Sequence, residues 1–99
     1  TTDRYNKALY FSRAAIPFAR TGNVDLRSMK RHIGIYGYRA GVLNTLSTLP
    51  PSMLEQTEML EQLRWLENGL EIFTARSEFD SWSIDTPDDL KKVIQHFGF

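Results

Sequence analysis

The sequence predicts an α/β layered protein whose sheet is incomplete on its own. Three observations carry this. Segments rich in aromatic and β-branched residues fall at 8–12, 30–39 and 70–75, the composition of strands. Between and after them lie stretches with apolar residues at helical spacing. Three strand segments and three helices are too few for a doubly wound sheet. The 99 residues make one domain at most, because so short a chain buries only about 60–65% of its unfolded surface.

Taken in order, Asp3-Arg4-Tyr5-Asn6-Lys7 is polar and turn-like, and residues 8–12 form the first strand. Pro17 breaks the stretch that follows, and Gly22-Asn23 marks residues 21–29 as a loop or short irregular segment. Residues 30–39 form the second strand, with Gly34 and Gly37 inside it; strand glycines mark close approach of a backbone or ligand. A short helix over 41–49 has Val42, Leu43, Leu46 and Leu49 apolar and ends at Pro50-Pro51. Ser52-Met53-Leu54-Glu55 is a capping-box pattern. It opens a long helix running to about Glu67, stopped by Asn68-Gly69. The third strand follows at 70–75, then a loop over 76–83. A strand end at Ile84-Asp85 feeds a last helix, with Thr86 as N-cap, Pro87 at its first position and Asp88 and Asp89 in its first turn. Leu90, Val93, Ile94 and Phe97 make that helix amphipathic, and Gly98 ends it.

Composition narrows the function classes. With 41% hydrophobic and 24% charged residues the chain is globular in type. Twelve basic against twelve acidic residues leave no net charge, so no net field draws it to nucleic acid or a membrane surface. The absence of cysteine excludes a disulfide scaffold, a thiolate metal site and a Cys nucleophile. Two histidines do not make a His-rich zinc centre. No apolar run approaches the roughly 20 residues of a membrane span, and no signal-peptide pattern occurs, so the expected compartment is the cytoplasm. The first residues read as the run-in to a strand, without an initiator Met.

Three places could hold chemistry. On the second strand, His32, Gly34, Tyr36 and Tyr38 share one face and Ile33 and Ile35 the other. The Ile face reads as core. The opposite face is open between an ordinary wet sheet face and a wall for a polar, hydroxylated ligand. On the long helix, Met59, Leu60, Leu63 and Leu66 form the core stripe. Leu54, Glu58, Glu61 and Trp65 lie on another side with Gln62 at its margin, facing a ligand pocket, a partner or simply solvent. Asp85 stands at a strand end before a helix, where α/β sheets bind ligands. It could bind Mg²⁺ through oxygen or merely complement the helix dipole. Arg13 and Arg20 flank Pro17 and could grip a carboxylate or phosphate, or remain solvated. His96 reads as a favourable charge at the last helix's C-terminus. Walker, GxGxxG, GxSxG and HExxH motifs are absent.

Four ordered blocks carry a resemblance. They are residues 8–17 (Ala-Leu-Tyr-Phe-Ser-Arg-Ala-Ala-Ile-Pro), 31–39 (Arg-His-Ile-Gly-Ile-Tyr-Gly-Tyr-Arg), 60–64 (Leu-Glu-Gln-Leu-Arg) and 84–90 (Ile-Asp-Thr-Pro-Asp-Asp-Leu). Together they resemble the C-terminal part of the 3-deoxy-manno-octulosonate (Kdo) cytidylyltransferases, or CMP-Kdo synthetases, from about Ala8 to Val93. The resemblance implies the C-terminal part of a Rossmann-like nucleotide-diphospho-sugar transferase fold. It also implies cytidylyl transfer from CTP to Kdo with Mg²⁺, for lipopolysaccharide synthesis, by a homodimer. On this likeness residues 1–99 are the sugar-binding and dimerisation segment. His32, Tyr36, Glu61 and Gln62 contact sugar hydroxyls, Arg20 and Arg13 sit near the sugar acid, and Asp85 is one of two Mg²⁺-binding aspartates.

The departures are also clear. The family is roughly twice as long, and its N-terminal half, with the phosphate loop, base-binding residues and second aspartate, has no counterpart here. Ser83 stands where the family often has Gly, and the loop between Arg20 and Arg31 is short. A related amino-substituted octulosonate or another sugar acid is therefore an alternative substrate. A non-catalytic oligomerisation module, motivated by Leu54 and Trp65, is the alternative of another class.

Overall fold

The computed structural model describes residues 1–79 and 82–98. Among these, a 3₁₀ turn at Leu26–Ser28 precedes four helices: α1 (Ala40–Thr48), α2 (Met53–Glu58), α3 (Gln62–Glu67) and α4 (Pro87–Phe97). The α/β expectation is met only in part. The helices are regular, but β pairing among the described residues is limited to two antiparallel bridges, Thr2 with Ala8 and Lys7 with Phe73.

These bridges follow from the N-terminal turn. Asp3 Oδ1 accepts the Tyr5 and Lys7 N–H groups at 2.8 and 2.9 Å, the local bonding by which Asp builds turns. The reversal brings Ala8 N–H to the Ile72 carbonyl, and Thr74 N–H to the Asn6 carbonyl, both at 2.8 Å. The first and third predicted strands thus touch at Ala8 and Ile72 but do not extend into a ladder. The second, over 30–39, has no bridge. A ladder needs a neighbour along its length, and Gly34 allows a tight turn instead: Ile35 N–H donates to the Ile33 carbonyl at 2.9 Å. Ile35 is left 83% exposed, so the expected Ile core face does not form.

The helix predicted to run unbroken to Glu67 is two helices. Met59 adopts a left-handed conformation (φ 53°, ψ 46°), and Leu60 N–H reaches the Glu55 carbonyl at 3.2 Å, a closure typical of helix C-termini. The break removes Met59 from the expected core stripe and leaves it 74% exposed. Leu63 keeps its place and is fully buried, with Ala8 and Gln62 close behind. α2 and α3 pack on each other across this break. Arg64 locks them: its Nε donates to Glu55 Oε2 at 2.7 Å, Nη2 to Glu55 Oε1, and Nη1 to the Leu49 carbonyl at 3.2 Å. Glu55 also accepts Ser52 N–H at 3.1 Å, completing its half of the capping box.

At α4 the local signals are obeyed. Asp89 N–H donates to Thr86 Oγ1 at 3.2 Å, Thr86 N–H donates back to Asp89 Oδ2 at 3.1 Å, and Gly98 closes the helix with φ 74°. The preceding residue Ile84 is 52% exposed and forms no strand end. The radius of gyration is 16.3 Å, against about 13 Å for a compact domain of 100 residues. The molecule is open, and the core around Leu63 is small.

Candidate functional site

A cleft of about 900 Å³ is bounded by the 30–39 segment, α1, α3 and the 69–75 segment. Its wall is aromatic. Tyr36 Oη lies 2.7 Å from His32 Nε2. Phe11 meets the His32 ring edge-on at 5.0 Å, Tyr38 stacks on Tyr36 at 6.2 Å, and Trp65 from α3 packs edge-on against Tyr36 and Tyr38 at 5.5 and 5.7 Å. Such geometries suit the ring quadrupoles. The period-two reading of 30–39 thus puts His32, Tyr36 and Tyr38 on one side, although no sheet holds them there.

The electrostatics of the pair are consistent with one protonation state. Burial lowers the His32 pKa below its ordinary value. Burial, then the neighbouring Tyr38 and the Glu61 carboxylate, push the Tyr36 phenol up to about 12. A neutral imidazole beside a protonated phenol assigns the bond: Tyr36 O–H donates to Nε2, and His32 Nδ1–H is left as a donor. Tyr36, with its second lone pair, and His32 therefore offer an acceptor and a donor side by side, a pattern that suits hydroxyl groups.

The other expected residues are placed as follows. Glu61 is exposed at the start of α3, near enough to act on the Tyr36 phenol. Gln62, next to it, is turned inward: it is 5% exposed, and its Nε2 is buried without a hydrogen-bond partner. Arg20 is exposed in the turn closed by Gly22 N–H to the Ala19 carbonyl at 3.0 Å, after a cis Ile16–Pro17 bond. Arg13 is engaged by α2: its Nε donates to the Glu58 carbonyl at 2.7 Å and its Nη2 to the Met59 carbonyl at 2.9 Å. Asp85 is exposed in a separate shallow depression with Ile84, Thr86, Pro87 and Leu90. Among the described residues no group of three or more His, Cys, Asp or Glu gathers around it or elsewhere.

Two further contacts lay outside the sequence reading. Trp65, read as open between partner, pocket and solvent, belongs to the cleft wall, so Leu54 and Trp65 no longer form one outward face. Trp82 lies on His96 of α4 with ring centres 4.6 Å apart. Both are long-range or loop contacts with no periodic signal.

The architecture is part of a nucleotidyltransferase fold. A solved structure described as CMP:2-keto-3-deoxy-manno-octonic acid synthetase complexed with CTP superposes with a TM-score of 0.86 at 39% identity, over 99% of this chain and 40% of that one. The chain belongs to the cytidylyltransferase family, whose model matches residues 1–72. Among its relatives, the 3-deoxy-manno-octulosonate cytidylyltransferase of Chloroherpeton thalassium is 52% identical over 92 residues, covering 93% of this chain and 37% of that protein. The enzyme of the same name from Parabacteroides distasonis is 45% identical over 96 residues, covering 93% and 38%. The chain therefore spans little more than a third of the length of the curated relatives it matches.

Proposed function

We propose that this chain is the C-terminal, sugar-acid-binding segment of a CTP-dependent Kdo cytidylyltransferase. The whole enzyme joins Kdo to CMP and releases pyrophosphate, in lipopolysaccharide synthesis in the cytoplasm. The observation that carries the reading is the His32–Tyr36 pair, 2.7 Å apart in an aromatic cleft beside Glu61. It is supported by the family membership and the relatives' names. In this reading the imidazole and phenol hold sugar hydroxyls, Glu61 accepts another hydroxyl, and Arg20 pairs with the sugar carboxylate. Gln62 joins them once its buried amide turns to an acceptor. The Rossmann-like sheet that would complete the fold comes from the remainder of the enzyme, together with the CTP-binding residues.

Asp85 offers an exposed carboxylate, and among the described residues no group of three or more His, Cys, Asp or Glu gathers round it. That donor set fits Mg²⁺ as a shared site, since Mg²⁺ is usually held by one or two carboxylates together with substrate phosphates. Mg²⁺ held there by Asp85 would supply charge neutralisation for the phosphates of the nucleotide. The residue's own part is to present that oxygen ahead of α4, whose Thr86–Asp89 capping box fixes the approach.

The test joins this chain to the remaining portion of the enzyme and follows pyrophosphate release from CTP and Kdo. His32→Ala and Tyr36→Phe are expected to raise KM for Kdo by about tenfold, the worth of one hydrogen bond. Asp85→Ala is expected to abolish Mg²⁺-dependent turnover, and the 99-residue chain alone to show none. Equal activity of wild type and Asp85→Ala would remove the metal role. Preference for an amino-substituted octulosonate would select the related substrate instead. Sedimentation of the joined enzyme tests the homodimer, for which the exposed apolar Leu43 of α1 is available.

A further inference from the structure

The break between α2 and α3 is held from 45 residues away. Hydrogen bonds from Tyr10 and Arg13 converge on Glu58 and Met59. Tyr10 O–H and Arg13 N–H donate to the two oxygens of the Glu58 carboxylate, at 3.3 and 2.9 Å. The Arg13 guanidinium donates to the Glu58 and Met59 carbonyls, at 2.7 and 2.9 Å. Those carbonyls belong to the end of a helix, where no intrahelical N–H remains for them. Met59 itself is in the left-handed region, which a side chain with a Cβ occupies only where its surroundings over-determine it.

Three residues beyond this point the chain has begun α3, which carries Gln62 and Trp65 and has Glu61 as its N-cap. Trp65 in turn packs against Tyr36 and Tyr38, and Tyr36 bonds His32. We infer that Arg13 is a positioning residue: by forking across the Glu58 and Met59 carbonyls it fixes the left-handed break, and so sets α3 and Trp65 against the His32–Tyr36 wall. This assigns Arg13 a task other than contact with the sugar acid, and it holds whatever the substrate is. A lysine could not replace it, because an ammonium lacks the planar fork that spans two carbonyls.

The experiment uses the full chain in a Trp82→Phe background, so that Trp65 is the single tryptophan. Arg13→Met and Arg13→Lys are compared with the parent, without ligand, by Trp65 fluorescence and by amide exchange at Leu60 and Thr74. Both variants are expected to red-shift Trp65 emission. Both should accelerate exchange of the Leu60 amide about tenfold, as loss of a charged hydrogen bond implies. The Thr74 amide, bonded to the Asn6 carbonyl, should keep its rate. Glu58→Gln should produce a smaller change of the same kind. Parental behaviour of Arg13→Lys would overturn the inference, since Arg13 would then act as a bare cation. Acceleration of Leu60 and Thr74 alike would overturn it too, by showing general loosening rather than control of the break.

Discussion

The His32–Tyr36 bond shows how two titratable side chains settle each other's proton. Each is pushed toward its neutral form by burial, and the two neutral forms make a directed O–H···N bond at 2.7 Å. The sign of the pH effect follows from the shifts. The Tyr36 pKa is raised from 10.0 to about 12, so the stability it contributes is complete below pH 10 and is lost as pH rises through about 12. His32 is lowered from 6.5, so its contribution is complete above pH 6.5 and is lost as pH falls through the lower folded value. Phenolate absorbance should therefore show a titration near pH 12 that is absent in Tyr36→Phe. Titration of the Tyr36 phenol at its ordinary 10.0 would disprove the pairing.

At the scale of elements, α2 and α3 depend on one ion pair. Arg64 holds both oxygens of Glu55 and reaches the Leu49 carbonyl, so three turns of chain meet at one guanidinium. The bond from Arg64 holds the Glu55 carboxyl below its ordinary 4.5. A lowered carboxylate stabilises the fold above pH 4.5, and that contribution disappears as pH falls through the folded value. Acid titration of α2–α3 helicity should show this loss as pH falls below 4.5. Glu55→Gln should be less helical at neutral pH and lack the acid step. An unchanged acid step in Glu55→Gln would assign it to another carboxylate. α4 offers a contrast: its ends rest on Thr86, Asp89 and Gly98, all within or beside the helix.

For the molecule as a whole, the exposed apolar surface is the governing fact. Ile35, Phe73 and Leu90 are exposed, and the chain is more open than its length requires. In the proposed function this surface is covered by the rest of the enzyme. The chain alone should bind a hydrophobic dye such as ANS strongly, and the signal should fall when the remaining portion is supplied. Weak dye binding by the chain alone would mean that these faces are already covered, and would count against the assignment as a segment.

Where bonding is local, the sequence by itself determined the outcome. The N-terminal turn, the α1 stop at Pro50-Pro51 and both ends of α4 were legible because cap, turn and helix residues lie within a few positions of the groups they satisfy. The tertiary structure decided the rest. The break at Met59 depends on Arg13, 46 residues earlier, and no helical periodicity can register a partner at that distance. The 30–39 segment has strand composition but no ladder among the described residues, because strand hydrogen bonds are made with another stretch of chain. Trp65 became part of the site rather than an outer face through the same break, which sets α3 apart from α2.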